Sequence, residues 1–242
     1  MAVANEPTGN LKIMIMNTNG KTVGDNTADK RKQVICDVVK TTGATLFLFQ
    51  ESMWMGISGS AWEGKYRLPS HLEYIGNEEA CILFDTDKVT VENVRDITGI
   101  QQSTLERMCI GKVKTKGVPI VEFICIPWHG RSKKTKTIRI EEFKSMLKYI
   151  LKLSEKESLP VIVAGDYNVK IKNIETLVPP SLVLHKYKPS ERRAPENIID
   201  FFISSYSLVM SDINALTLKS KTDVMGVLSL FDHDPVVSSM ST

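Results

Sequence analysis

The chain has 242 residues, with 31 Lys+Arg against 28 Asp+Glu and a formal net charge of +3. Its 42% hydrophobic and 24% charged content is ordinary globular composition, which excludes collagen-like and disordered classes. No apolar run approaches the ~18 residues that span a bilayer, and residues 1–10 lack the basic start and apolar stretch of a secretory signal.

Residues 1–10 are expected to form a disordered tail ahead of a single domain over 11–242. LKIMIM at 11–16 is a continuous apolar run and predicts a buried strand. Turn-rich NTNGKTVGDN follows. Thr27 can cap a helix whose Val34, Ile35, Val38 and Val39 share one face, and Gly43 stops it. ATLFLFQ at 44–50 predicts a second buried strand, and 52–71 reads as loop. LEYIG, ACILF, KVTVENVRDI, RMCIGKVK and PIVEFICI read as successive strands, with turn signals at spacings that suit an antiparallel sheet. RSKKTKTIR at 131–139 leads into a helix marked by the stripe Ile140, Phe143, Leu147 and Ile150. LPVIVAGD, NIIDFFISS and, after the turn FDHD, PVVSS complete the strands. Strands outnumber helices, and the helices fall between them, which predicts an α/β domain with sheets covered by helices. Cys36, Cys81, Cys109 and Cys125 are widely spaced with no C-x-x-C pair. They read as free buried thiols and, with the absent signal, point to the cytosol or nucleus.

Several apolar strands end in residues that carry chemistry. The first runs into Asn17 and Asn19, the second into Glu51, ICIPW into His129, VIVAG into Asp166 and Asn168, NII into Asp200, and LSLF into Asp232 and His233. A buried strand holds its last residue rigidly, although any one of these residues is also what a turn uses. Glu51, Asp232 and Asn17 are hard oxygen donors suited to Mg²⁺, Mn²⁺ or Ca²⁺. The histidines and remaining aspartates supply acid–base groups near neutral pH. Together with an amide donor, that set suits attack of water on phosphorus.

In this order, N-x-N-G, Q-E, x-H-G, G-D-Y-N, I-D-F and D-H-D-P-V resemble the endonuclease/exonuclease/phosphatase superfamily, and deoxyribonuclease I within it. The match runs from Asn17 to Val237. The resemblance implies a four-layer sandwich of two central β-sheets flanked by helices. It implies Glu51 as the main metal carboxylate, with Asn17 and Asp232 beside it, and a cofactor that is Mg²⁺, Mn²⁺ or Ca²⁺. Asp166 would position or deprotonate the attacking water, and Asn168 would hold the scissile phosphate. His233 would act as base or phosphate contact, oriented by Asp200. His129 matches the second histidine of the deoxyribonuclease I branch, and counting back from Phe84 puts its supporting carboxylate at Glu78. Such a carboxylate would steady His129 as a proton donor to a leaving oxygen. Arg107 is implied as a phosphate contact. Two positions depart from the family's pattern: Ile198, preceded by Asn197, stands where Arg or Lys is usual, and Phe231 where Ser is usual.

Five of the nine residues in 131–139 are basic. They read either as a solvated loop or as a clamp on a polyanion, with Arg131, Lys133, Lys134 and Asn19 as substrate contacts. Met53, Trp54, Met55 and Trp62 read as loop core or as a stacking surface. GKT at 20–22 is not a phosphate loop, because Ile15 stands where the first Gly is required. GISGS at 56–60 is not a nucleophile elbow, because position 60 is Ser. His71 and His185 lie outside the motifs. The resulting expectation is a metal-dependent phosphodiesterase hydrolysing nucleic acid, with a DNA endonuclease as the leading reading and no membrane span. The alternatives are a phosphatase or phosphodiesterase on a phosphoinositide, sphingolipid or nucleotide, or a catalytically silent binding module of the same fold.

Overall fold

A computed structural model describes residues 11–19, 25–52, 68–94, 102–117, 119–187, 197–216, 231 and 233–241. The expected tail at 1–10, the GKT segment, the Met- and Trp-bearing loop after Ser52 and Asp232 lie outside these residues.

Continuous apolar runs become strands buried on both faces, and two of them pair in parallel in each half of the fold. β1 (Leu11–Asn17) lies parallel to β2 (Leu46–Gln50), joined by α1 (Asp25–Thr42). β7 (Glu122–His129) lies parallel to β8 (Val161–Asp166), joined by α3 (Lys136–Glu157). Antiparallel strands extend both pairs. In the first sheet these are β3 (Leu72–Gly76), β4 (Ala80–Asp85), β11 (Val209–Ala215) and β12 (Val236–Ser241), in the order β11-β12-β1-β2-β4-β3. In the second they are β5 (Val89–Asn93), β6 (Gly111–Thr115), β9 (Leu182–His185) and β10 (Asp200–Ser205), in the order β5-β6-β7-β8-β10-β9. A short α2 (Gln102–Leu105) precedes β6.

The sheets pack face to face. Ile13, Leu48 and Ile82 of one share a core with Phe123, Cys125 and Phe202 of the other. On the outer faces, Ile35 and Val39 of α1 cover Met14, Phe47 and Phe49, while Phe143, Met146 and Ile150 of α3 cover Ile124, Ile126 and Val163. Each such side chain contributes about 1.5–3 kcal/mol by leaving water. The layers are therefore helix, sheet, sheet, helix, as the sequence implied. α1 starts at Asp25, so Thr27 lies inside its first turn and is not its cap. α3 is capped by Thr135, whose hydroxyl accepts the Ile138 N–H. All four cysteines are buried and none is in a disulfide. No helix among the described residues is long and apolar enough to cross a membrane.

Candidate active site

Parallel pairing brings the carboxyl ends of β1, β2, β7 and β8 to one edge of the sandwich. In the second sheet, His129 is in register with Asp166, and Asp166 with Asp200, which makes one row across three adjacent strands. In the first sheet Asn17 is in register with Gln50 and Gln50 with Ala80. Glu51 and Glu79 therefore flank that row. The two edges touch: Asn17 Nδ2 donates to Asp166 Oδ2 at 3.1 Å. Residues 149 positions apart in the chain thus meet where the two sheets adjoin.

Asp166 lies at the centre and is buried. Its Oδ1 accepts the Asn168 N–H at 2.8 Å, and its Oδ2 accepts Asn168 Nδ2 at 3.0 Å besides Asn17. Burial pushes its carboxyl above the usual range, and the neighbouring Asp200 adds to this, while His233, His129 and the Asn168 N–H oppose it. A carboxylate held among donors and drawn toward neutrality is suited to receiving a proton.

Two histidines flank it, each tied at Nδ1 to a carboxylate. His233 Nδ1 lies 2.9 and 2.8 Å from the two Asp200 oxygens, and its Nε2 faces Asp166 Oδ2 at 3.8 Å. His129 Nδ1 lies 2.8 Å from Glu79 Oε2, and its Nε2 lies 3.2 Å from Glu51 Oε1. Each ring is fixed in orientation and presents its Nε2 edge to the centre.

Three of the described non-glycine residues with positive φ sit here: Asn19 at 54°, Glu51 at 52° and Asn168 at 50°. Asn accepts this conformation readily, but an unbranched glutamate does not. Glu51 is held in it from both sides. Its N–H donates to the Glu79 carbonyl at 3.1 Å, and Thr18 Oγ1 donates to both the Gln50 and Glu51 carbonyls, at 3.0 and 2.9 Å. Glu51 is thus a strained residue locked by its surroundings, a feature that clusters at functional sites.

Most of the residues singled out in the sequence converge here, with corrections. The carboxylate that supports His129 is Glu79; Glu78 is exposed. Ala80 is opposite Gln50, so the residue before it stands beside Glu51, and the pairing register decides between the two adjacent glutamates. Arg107 donates one N–H from each of its three nitrogens within the protein, to Glu79 at 2.6 Å, the His129 carbonyl at 2.7 Å and the Gly130 carbonyl at 2.9 Å, which leaves a second N–H on each Nη. Burial also draws its guanidinium below its usual value, with Arg131 next in effect. Asn168 spends both amide protons on Asp166 and the Gly130 carbonyl, so in this state it braces the aspartate. Asn19 contributes backbone: its N–H donates to Asn17 Oδ1. Arg131 pairs with Glu142 at 3.0 Å, while Lys133 and Lys134 are exposed. The sequence reading missed Thr18 and Glu79. A hydroxyl that acts on backbone carbonyls leaves no pattern in sequence, whereas Glu79 was within reach of the pairing register.

The donor chemistry at the open edge fits a hard divalent cation. Glu51 offers a partly exposed carboxylate and Asn17 an amide oxygen. None of the four thiols lies in either register row. The described residues also hold a tighter group, Asp166, Asp200 and His233, whose ligand-type atoms lie within 4.8 Å of one another, all buried.

No protein-family model matches the chain, and no curated protein matches it. Solved structures do resemble it. A mannosyl-6-phosphatase from Bacteroides thetaiotaomicron is 19% identical, with a TM-score of 0.74 over 96% of this chain and 100% of its own. An endonuclease/exonuclease/phosphatase family protein from the same organism is 17% identical, with a TM-score of 0.74 over 96% of this chain and 98% of its own. D. rerio TDP2, complexed with a single-strand DNA product, is 15% identical, with a TM-score of 0.70 over 96% and 99%.

Proposed function

We propose, from the premise that this chain carries the endonuclease/exonuclease/phosphatase fold, that it is a metal-dependent phosphodiesterase cleaving nucleic acid, with DNA as the first substrate to test. The observation that carries the reading is the row His129–Asp166–Asp200 with His233: two imidazoles, each fixed by its own carboxylate, on either side of a buried aspartate. A pure binding module has no use for that arrangement.

Glu51, Asn17 and Asp232 would hold a Mg²⁺ or Mn²⁺ ion, which when bound would polarise a phosphoryl oxygen and offset developing charge. Asp166 receives a proton from the attacking water. His233, oriented by Asp200, takes or relays that proton through its Nε2, which faces Asp166 Oδ2. His129, held at Nδ1 by Glu79, gives a proton from Nε2 to the leaving oxygen or stabilises it. Lys133 and Lys134, on the segment just past His129, contact the phosphate backbone of a polyanion.

Two observations support a polymer. The basic segment follows the catalytic histidine directly, and the D. rerio neighbour holds a single-strand DNA product. The mannosyl-6-phosphatase neighbour supports a phosphomonoester as the second reading. The test is a panel of supercoiled plasmid, single-stranded DNA, RNA, a sugar 6-phosphate and a phosphoinositide, each with Mg²⁺, Mn²⁺ or EDTA. Plasmid nicking that EDTA abolishes, and that Glu51→Ala and His233→Ala each lower by ~100-fold or more, is the expected result. Release of inorganic phosphate with intact plasmid would favour the second reading. Equal cleavage by mutant and wild type would remove the assignment.

A further inference from the structure

The two halves of the fold carry the same device. Asn17 ends β1; its Oδ1 accepts the N–H of Asn19, which is left-handed, and the Asn19 carbonyl accepts Nη1 of Arg31, on α1, at 2.7 Å. Asp166 ends β8; its Oδ1 accepts the N–H of Asn168, which is left-handed, and the Asn168 carbonyl accepts Nη1 of Arg139, on α3, at 2.5 Å. In each half the arginine comes from the helix that connects the two parallel strands. Arg31 is almost wholly buried, which is rare for an arginine without a purpose.

Asparagine closes such a turn and tolerates positive φ by itself. What each arginine adds is a fixed direction for the next peptide plane, and so a fixed aim for what the asparagine holds. Both lines of contact end on one carboxylate. Arg31 sets Asn19, Asn19 pins Asn17, and Asn17 Nδ2 donates to Asp166 Oδ2. Arg139 sets Asn168, which donates to both Asp166 oxygens.

We propose that Arg31 and Arg139 are paired positioning residues that aim the Asp166 carboxylate, one through each sheet. This rests on the hydrolase reading given above, and neither arginine touches the reacting atoms. The test uses the full chain with Arg31→Lys, Arg31→Met, Arg139→Lys and Arg139→Met, on whichever substrate of the panel is cleaved. Each Met variant should lower kcat by ~10–100-fold with KM within about twofold, as expected for a misplaced group. Each Lys variant should recover part of that loss. A second readout needs no activity: hydrogen exchange at the Asn168 backbone and side-chain amides should quicken in Arg139→Met, and at the Asn19 amide in Arg31→Met. Should Arg31→Met not fold, Arg139→Met, which removes a half-exposed side chain, carries the test. A rise in KM with unchanged kcat would overturn the proposal in favour of direct substrate contact. Unchanged kcat with unchanged amide protection would also overturn it. If the wild type cleaves nothing, the hydrolase reading fails, and amide protection alone decides the positioning role: loss supports it and retention ends it.

Discussion

Arg107 Nη1 lies 2.6 Å from Glu79 Oε2, the same oxygen that faces His129 Nδ1 at 2.8 Å. One carboxylate oxygen thus joins a half-buried cation to the imidazole. The Arg107 Nε and Nη2 groups close the loop by donating to the His129 and Gly130 carbonyls. Losing the carboxylate would remove the Arg107 ion pair and the Nδ1 partner that holds the His129 ring. Glu79→Ala should therefore lower kcat/KM by ~100-fold or more, and Glu78→Ala should leave it within about twofold. Steady-state kinetics on the two variants decide between the adjacent glutamates.

Gly165 is a glycine because of Trp128. It has φ +151°, and a Cβ there would sit 2.1 Å from the Trp128 carbonyl oxygen and 2.9 Å from the Gln50 amide nitrogen. A backbone oxygen inside the sheet cannot retreat. Gly165→Ala adds both a strained conformation and a steric clash, each worth about 1–3 kcal/mol. A loss of about 2–5 kcal/mol is expected in a urea or guanidinium titration. Any soluble fraction should also be catalytically weak, because the next residue is Asp166.

Thr18 offers a subtler test. Its hydroxyl serves the two carbonyls that bracket the turn into Glu51. Thr18→Val keeps the shape and removes the hydroxyl donor to the Glu51 carbonyl, at a cost of about 1–3 kcal/mol, while the Gln50 carbonyl keeps the Thr18 N–H at 2.8 Å. If Glu51 holds the metal, Mn²⁺ affinity measured by calorimetry should fall by ~10–100-fold, the usual effect of losing a group that orients a ligand. Unchanged affinity would mean that Glu51 is not the ligand, or that its backbone needs no such support.

These residues also show where sequence is informative. Asp166, His129 and Asn17 were legible because each terminates an apolar run, and a run buried on both faces announces itself without alternation; Asp200, expected at the end of a strand, instead opens β10 and reaches the row through antiparallel pairing. β11 was not legible. VMSDINA is an edge strand with an irregularity between Ser211 and Asn214 and mostly exposed or half-buried side chains, so its pattern is that of a loop. β9 is four residues long, also at an edge. Within the site, side chains that act on reacting groups are typed by their chemistry. Those that act on backbone, such as Thr18, or whose identity depends on a one-residue register, such as Glu79, become visible only once the strands are paired.

His185 links stability to pH away from the centre. Its Nε2 lies 2.8 Å from Ser204 Oγ, and burial lowers its pKa from 6.5 to about 4. The folded state thus keeps the ring neutral where the unfolded chain would protonate it. The stability this ring contributes is complete above about pH 6.5 and is lost as pH falls toward 4. Because the ring is partly solvated, screening limits the total to ~1–2 kcal/mol. His185→Gln, which can still meet Ser204, should show a shallower decline in unfolding free energy than the wild type between those pH values. Parallel curves for the two proteins would contradict this account.

Charge at Lys133 and Lys134 separates a polymer substrate from a small one. Both are exposed on the segment between His129 and α3, whereas Arg131 is tied to Glu142 and Arg139 to the Asn168 carbonyl. Reversing their charge leaves the Arg131–Glu142 and Arg139–Asn168 contacts in place. A polyanion gains affinity by releasing counterions to such lysines, with a log–log salt slope near −0.9 for each phosphate neutralised. Lys133→Glu/Lys134→Glu should raise KM for DNA by ~10-fold or more and flatten the salt dependence of kcat/KM by about one to two units. Its kcat should hold, because neither lysine touches the His129–Asp166–Asp200 row. A phosphomonoester too small to reach past His129 would show neither change, so a flat response with DNA and an equally flat one with a sugar phosphate would favour the second reading.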